Sequence, residues 1–170
     1  VVFGTTGRNS KAVDANLTAV ELSPQDAEAH NNLGNTLNEA GRLDEAEASC
    51  RQAIALKPDY AEAHSNLGNT LHELGRLDEA EASYNQAIAL KPDYAEAYSN
   101  LGNTLHELGR LDKAETSCRQ AIALKPDFAT AHSNLGNTFH EQGRLDEAEA
   151  SYRQAITLMP DFSEAHKNLG

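Results

Sequence analysis

The chain has 170 residues, a net charge of -12 and 5% aromatic residues with no Trp. Phosphate contact needs a cluster of Lys and Arg, and none exists, which excludes a nucleic-acid partner; an acidic surface favours neutral or basic partners over acidic ones. No apolar run approaches the roughly 18 residues of a membrane-spanning helix, so no membrane partner is expected, and the abundance of Ala, Leu and Glu favours helix.

Along the chain the dominant signal is a period of 34 residues. Residues 1–26 read as a worn copy of the last 26 positions of a longer unit, with Gly7 aligned with Gly41, Ala12 with Ala46, Ala19 with Ala53 and Pro24 with Pro58. They are predicted to hold the end of one helix, a break at Gly7 and a second helix. Complete copies follow at 27–60, 61–94, 95–128 and 129–162; the second and third match at 28 of 34 positions without a gap. Residues 163–170 repeat the first eight positions of a further copy, so the sequence is expected to start inside one helix and stop inside another.

Each copy encodes two helices. In residues 61–74 the apolar Ala63, Leu67, Leu71 and Leu74 recur at helical spacing beside Gly68, while Glu62, Ser65, Asn66, Asn69, His72 and Glu73 fall on the opposite arc. Gly75 stands where a C′ glycine ends a helix. Asp78 is the expected N-cap of the second helix, whose apolar stripe is Leu77, Ala80, Tyr84, Ala87 and Ile88. Pro92 ends that helix by disfavouring helical geometry in the residue before it. Asp93 and Glu96 resemble a capping box for the next copy, incomplete in the fourth, where Thr130 replaces the glutamate. Gly68 and Ala80 permit close approach within the hairpin, and Ala87 lets the next hairpin nest; one hairpin alone cannot bury its stripe, so neighbours must stack. The fold class is therefore all-α, an array of antiparallel helix hairpins.

Cys50 and Cys118 occupy the position of Tyr84 and Tyr152 in the second helix. Two repeats separate them, beyond the roughly 7 Å between Cα atoms that a disulfide allows. They read as packing residues, and their lack of a disulfide framework favours a reducing, cytoplasmic setting.

These spaced residues resemble the tetratricopeptide repeat: in the second copy His64, Leu67-Gly68, Leu71, Ala80, Tyr84, Ala87 and Pro92 match the family pattern. His30, His64, Tyr98, His132 and His166 replace its Trp; Leu37, Leu71, Leu105 and Phe139 replace its first Tyr. His64 and His132 are accordingly expected to be half-buried structural residues. The resemblance implies a right-handed α-solenoid that binds proteins or peptides. The segment A-H-S-N-L-G-N-T-L is similar to the superhelical repeats of O-linked N-acetylglucosamine transferases and related bacterial arrays. In those, an asparagine ladder on the concave face grips a peptide backbone.

The matching ladder here is Asn32, Asn66, Asn100, Asn134 and Asn168, with Asn35, Asn69, Asn103 and Asn137 beside it and His72, His106 and His140 at a further inward position. An asparagine amide both donates and accepts, so it can pair with a peptide backbone whatever the ligand's side chains. Capping turns or bridging adjacent helices is the alternative use of the same residues. The histidines would hydrogen-bond a ligand; helices about 8–10 Å apart do not readily bring three such rings onto one metal, so no metal site is expected. The family's carboxylate clamp is not matched, since its basic positions carry Ser65, Ser99, Ser133, Glu62, Glu96 and Thr130, with Lys167 alone at a matching place; this argues against acidic C-terminal tails as ligands.

No glycine-rich phosphate loop, Cys-x-x-Cys or nucleophile elbow occurs, so neither catalysis nor a cofactor is expected. The leading expectation is a scaffold for an extended peptide or protein segment. Head-to-tail self-association and service as the recognition arm of a larger glycosyltransferase are the alternatives.

Overall fold

The computed structural model describes the backbone of residues 3–169 and the side chains of residues 10–168 other than that at position 164. The described residues form ten α-helices and no strand. The chain divides into two compact units, Val1–Leu90 and Lys91–Gly170. The first holds α1 (Phe3–Leu22), α2 (Ala27–Glu39), α3 (Leu43–Leu56), α4 (Ala61–Glu73) and α5 (Leu77–Leu90). The second holds α6 (Ala95–Glu107), α7 (Leu111–Leu124), α8 (Ala129–Glu141), α9 (Leu145–Leu158) and α10 (Ser163–Leu169).

Four hairpins, α2–α3, α4–α5, α6–α7 and α8–α9, are closed by the same turn. Gly75 sits at φ 73, a left-handed conformation that glycine adopts without a Cβ penalty. Its N–H donates to the His72 carbonyl at 2.9 Å and that of Arg76 to the Leu71 carbonyl at 2.9 Å. This pair of bonds is the Schellman arrangement, and it satisfies two carbonyls at the helix end. Gly41, Gly109 and Gly143 repeat it with φ between 70 and 75.

Helix starts differ from the sequence expectation. Asp78 lies inside the first turn of α5 instead of capping it. The equivalent second helices α3, α7 and α9 have Arg42, Arg110 and Arg144 at the N-cap with no side-chain cap bond. The Schellman turn leaves one residue between glycine and helix, so the aspartate is carried past the cap, where its charge still complements the helix dipole. The Asp93–Glu96 box is likewise not formed: Tyr94 stands at the N-cap of α6 without a cap bond, and Glu96 turns to Lys125 at 3.1 Å. Where the aspartate itself falls on the cap, at Asp26, its carboxylate accepts from Glu28 N at 2.9 Å.

Residues 3–22 form one helix, so the break expected at Gly7 does not occur. A glycine inside a helix costs about 1 kcal/mol relative to alanine, too little to stop it alone. The left-handed turn elsewhere joins a first helix to a second folding back on it, and among the described residues no helix stands ahead of α1. Ala12 is exposed, whereas its counterpart Ala46 is fully buried. Val13 on the next face packs with Leu33, Leu37 and Ala46.

Small residues set the spacing inside each hairpin. Ala46, Ala53, Ala63, Ala80 and Ala87 are fully buried in the first unit, and Ala97, Ala114, Ala121 and Ala131 in the second. Gly68 lies against the ring of Tyr84, and Gly34 against Cys50 Sγ, at distances that leave no room for a Cβ. Within each unit successive first helices also pack on each other, α2 on α4 and α6 on α8. That row of first helices carries the polar residues of the candidate site.

Candidate functional site: the first-helix polar face

The polar arc predicted from sequence divides in two once neighbours are stacked. Ser65, Ser99 and Ser133 are not on an open face: they are buried at 2%, 0% and 0% exposure. Thr70, Thr104 and Thr138 are fully buried beside them, and each hydroxyl donates to the carbonyl four residues back, at 3.0, 2.9 and 2.8 Å. A threonine can close such a bond to its own helix, which makes its burial tolerable where a neighbouring first helix of the same unit presses close.

The asparagines of the predicted ladder sit at that junction. Asn66 Nδ2 donates to Asn31 Oδ1 on α2 at 2.9 Å. Asn134, 8% exposed, donates to the backbone carbonyl and the hydroxyl of Ser99 on α6, both at 3.2 Å. Asn32 is exposed and Asn100 half-buried. Both described bridges thus use Nδ2 to tie one first helix to the previous one. The residue in register at the end, Asn168, turns elsewhere: its Nδ2 donates to Asn137 Oδ1 at 2.9 Å. Ser133 Oγ, in the place that Asn31 and Ser99 hold in the bridges, is a buried polar atom with no partner.

The second asparagine row takes two forms, which the sequence reading did not distinguish. In the hairpins with tyrosine in the second helix, the phenol hydroxyl donates across the hairpin: Tyr84 to Asn69 Oδ1 at 2.8 Å and Tyr152 to Asn137 Oδ1 at 2.9 Å. In the cysteine hairpins the amide instead donates along its own helix, Asn35 to Glu39 at 3.0 Å and Asn103 to Glu107 at 2.9 Å. The missed signal was available: a buried phenol needs a hydrogen-bond partner, and an asparagine lies 15 residues before each core tyrosine.

In the second unit several predicted residues converge. His106, Asn137 and His140 line one cleft of about 400 Å³ with Glu141, Tyr152, Lys167 and Asn168. The lining joins α6, α8, α9 and α10 and carries donors, acceptors and both charges. His72 lies half-buried on α4 in the first unit. Among the described residues no three His, Cys, Asp or Glu side chains come together as a metal site, and no helix is long and apolar enough to cross a membrane.

The family-Trp position is occupied structurally. His30, His64, His132 and His166 each place Nε2 2.8–3.0 Å from a proline carbonyl six residues earlier. His30, His64 and His132 are half-buried. This Nε2–H contact ties the start of each first helix to the proline turn before it. Burial pushes the thiols of Cys50 and Cys118 up to about 12, so neither is a nucleophile at neutral pH.

Charges hold the other side of each unit. Arg76 bridges Glu47 of the preceding hairpin at 2.6 Å and Glu79 at 2.7 Å; Arg144 likewise bridges Glu115 at 2.8 Å and Glu147 at 2.5 Å while stacking 4.2 Å from the Phe139 ring centroid. The Arg76 hydrogen bond holds the Glu79 carboxyl below its ordinary value, and Arg144 does so for Glu147. Burial works to raise Glu47, but bonds from Arg51 and Arg76 outweigh it and the net shift is downward.

Known proteins agree with this architecture. Family models described as TPR repeat match residues 34–75 and 68–109, and models described as tetratricopeptide repeat match 93–161 and 15–48. The chain belongs to the tetratricopeptide repeat family. Among solved structures it is similar to TTC0263, a thermophilic TPR protein of Thermus thermophilus, at 29% identity, covering 96% of this chain and 89% of that one with a TM-score of 0.83. It is also similar to MamA, at 28% identity, covering 92% and 91% with a TM-score of 0.78. Among curated proteins none matches. Proteins built from this repeat serve as protein–protein interaction scaffolds and are typically non-catalytic.

Proposed function

We propose that the chain binds an extended peptide or protein segment on its first helices, with Asn35, Asn69 and His72 as contacts in the first unit and Asn103, Asn137, His106 and His140 in the second. The observation that carries this reading is the cleft of the second unit, where His106, Asn137, His140 and Asn168 stand together. Its groups are polar and uncommitted to any one side-chain chemistry, which suits a peptide backbone. A peptide of extended conformation advances about 3.3 Å per residue, so first helices about 8–10 Å apart meet roughly every third residue. The net charge of -12 directs the choice toward neutral or basic segments. Asn66 and Asn134, which donate to the preceding first helix, act in this reading chiefly as framework, while Asn32 and Asn100 are counted among the ligand contacts.

The test is a tethered random-peptide library screened at moderate salt against wild type and an Asn137→Ala/His140→Ala variant. Enrichment of neutral-to-basic peptides on wild type, lost on the variant, supports the groove. Equal enrichment on both, or none on either, removes it.

A further inference from the structure

We infer that Asn168 is a latch on the cleft of the second unit. It exchanges its bond to Asn137 for a seat on Ser133, and a backbone N–H of the bound segment takes the place it leaves on Asn137. The inference rests on the groove reading above and assigns the ligand's chemistry at one point of it.

Ser133 is fully buried, and its hydroxyl is without a hydrogen-bond partner. A buried hydroxyl in that condition carries a desolvation cost that one bond would offset. The equivalent place one hairpin earlier shows which bond is missing. There Ser99 accepts Asn134 Nδ2 at both its hydroxyl and its carbonyl, at 3.2 Å, across a step of 35 residues. The same step joins Asn66 to Asn31 at 2.9 Å in the first unit. From Ser133 it leads to Asn168. Asn168 instead reaches back only 31 residues, to Asn137 Oδ1 at 2.9 Å.

The two acceptors, Ser133 and Asn137, stand one turn apart on α8. Residues four apart on a helix are neighbours on one face, with about 5–6 Å between Cβ atoms. A rotation of the exposed Asn168 side chain with a small shift of α10 passes from one to the other. The bond to Asn137 closes the cleft, because both asparagines line it. The bond to Ser133 opens it and repeats the internal bridge of Asn134. Without ligand the closed arrangement is the one present, so moving α10 costs more than that one bond returns. A ligand shifts the balance only if it binds the open arrangement better. A peptide N–H does so, since it replaces the Asn168 amide on Asn137 Oδ1 while the Ser133 hydroxyl gains its partner. A group that can only accept gains nothing from the vacated oxygen.

The test uses the full chain, labelled with ¹⁵N, and two peptide probes of equal length, with affinities read from chemical-shift titrations. Acetyl-hexaglycine methylamide carries backbone N–H groups and no side chains. Acetyl-hexasarcosine dimethylamide carries the same carbonyls and no N–H. With the open arrangement in about 10% of molecules, the apparent Kd is about tenfold weaker than that of the open cleft. Asn168→Ala removes the latch, so the hexaglycine probe should bind about tenfold more tightly and the hexasarcosine probe no better than to wild type. Ser133→Ala removes the open seat, so the hexaglycine probe should bind about fivefold more weakly, the worth of one ordinary hydrogen bond. In an Asn168→Ala background Ser133→Ala should change nothing. A variant that had lost its fold could not bind more tightly, and the double variant separates the latch from any general effect of the serine. The inference is overturned, with the groove still standing, if Asn168→Ala fails to tighten hexaglycine binding or tightens both probes equally. It is overturned likewise if Ser133→Ala leaves that binding unchanged or acts as strongly without Asn168. If the hexaglycine probe binds neither wild type nor Asn168→Ala, the groove reading and this inference fall together.

Discussion

Gly68→Ala is the sharpest perturbation of how these hairpins close. A Cβ at Gly68 would lie 2.6, 2.8 and 2.9 Å from Cε1, Cδ1 and Cζ of Tyr84. The ring has little room to yield: it is 2% exposed, and its hydroxyl is held at 2.8 Å by Asn69. Overpacking of this kind costs about 1–3 kcal/mol, and three ring atoms in conflict place it near the upper end. Alanine in a helix returns about 1 kcal/mol relative to glycine, so the net loss should be about 2 kcal/mol. Removing the ring isolates the cause. In a Tyr84→Ala background the same Gly68→Ala change should stabilise by about 1 kcal/mol, a coupling of about 3 kcal/mol across the cycle. Urea unfolding followed by circular dichroism gives the total. Repeat arrays can unfold piecewise, so native-state hydrogen exchange of α4 and α5 should locate the loss. An equal effect of Gly68→Ala in both backgrounds, or stabilisation of the wild type, would refute the steric account.

Gly75→Ala tests the turn by a different route. Nothing lies within 4 Å of a Cβ there, but φ is 73, so the cost should be pure backbone strain of about 1–2 kcal/mol; Gly75→Asn should lose visibly less in the same urea titration. Stability should also depend on acid. Glu47, Glu79 and Glu147 are held below their ordinary value near 4.5, so their contribution is present above that pH and lost as pH falls through the lower folded values. Thermal melts from pH 6 downward should show this fall, and Glu47→Gln should flatten it; an unchanged profile in that variant would count against the assignment. Finally, with both thiols pushed up to about 12 by burial, Ellman's reagent at pH 8 should find none in the native protein and two after denaturation. Rapid native reaction would mean the second helices open readily.

Much of the fold was legible because the repeat states it four times. The apolar spacing of Ala63, Leu67 and Leu71, the C′ position of Gly75 and the stop at Pro92 are local signals, each fixed by backbone sterics or helix periodicity within one hairpin. The half-burial of His64 and His132 followed equally from their place in the pattern. Helix starts were less legible, since a Schellman turn one residue long carries Asp78 past the cap, and no composition signal records turn length. The continuity of α1 was hidden for a related reason: Gly7 carries the same letter as Gly41, but a turn needs two helices to join.

The polar face marks the boundary between the two levels of information. Sequence placed Ser65, Asn66, Asn69 and His72 on one arc, because an arc is a property of one helix. Tertiary structure decided that Ser65 and Thr70 are buried and that Asn66 and Asn134 spend amide hydrogens on the helix before them. It also brought Tyr152, Asn168 and Asn137 into one network from three helices. Burial and hydrogen-bond polarity depend on what approaches from outside the helix, and an isolated periodic pattern holds no term for that neighbour.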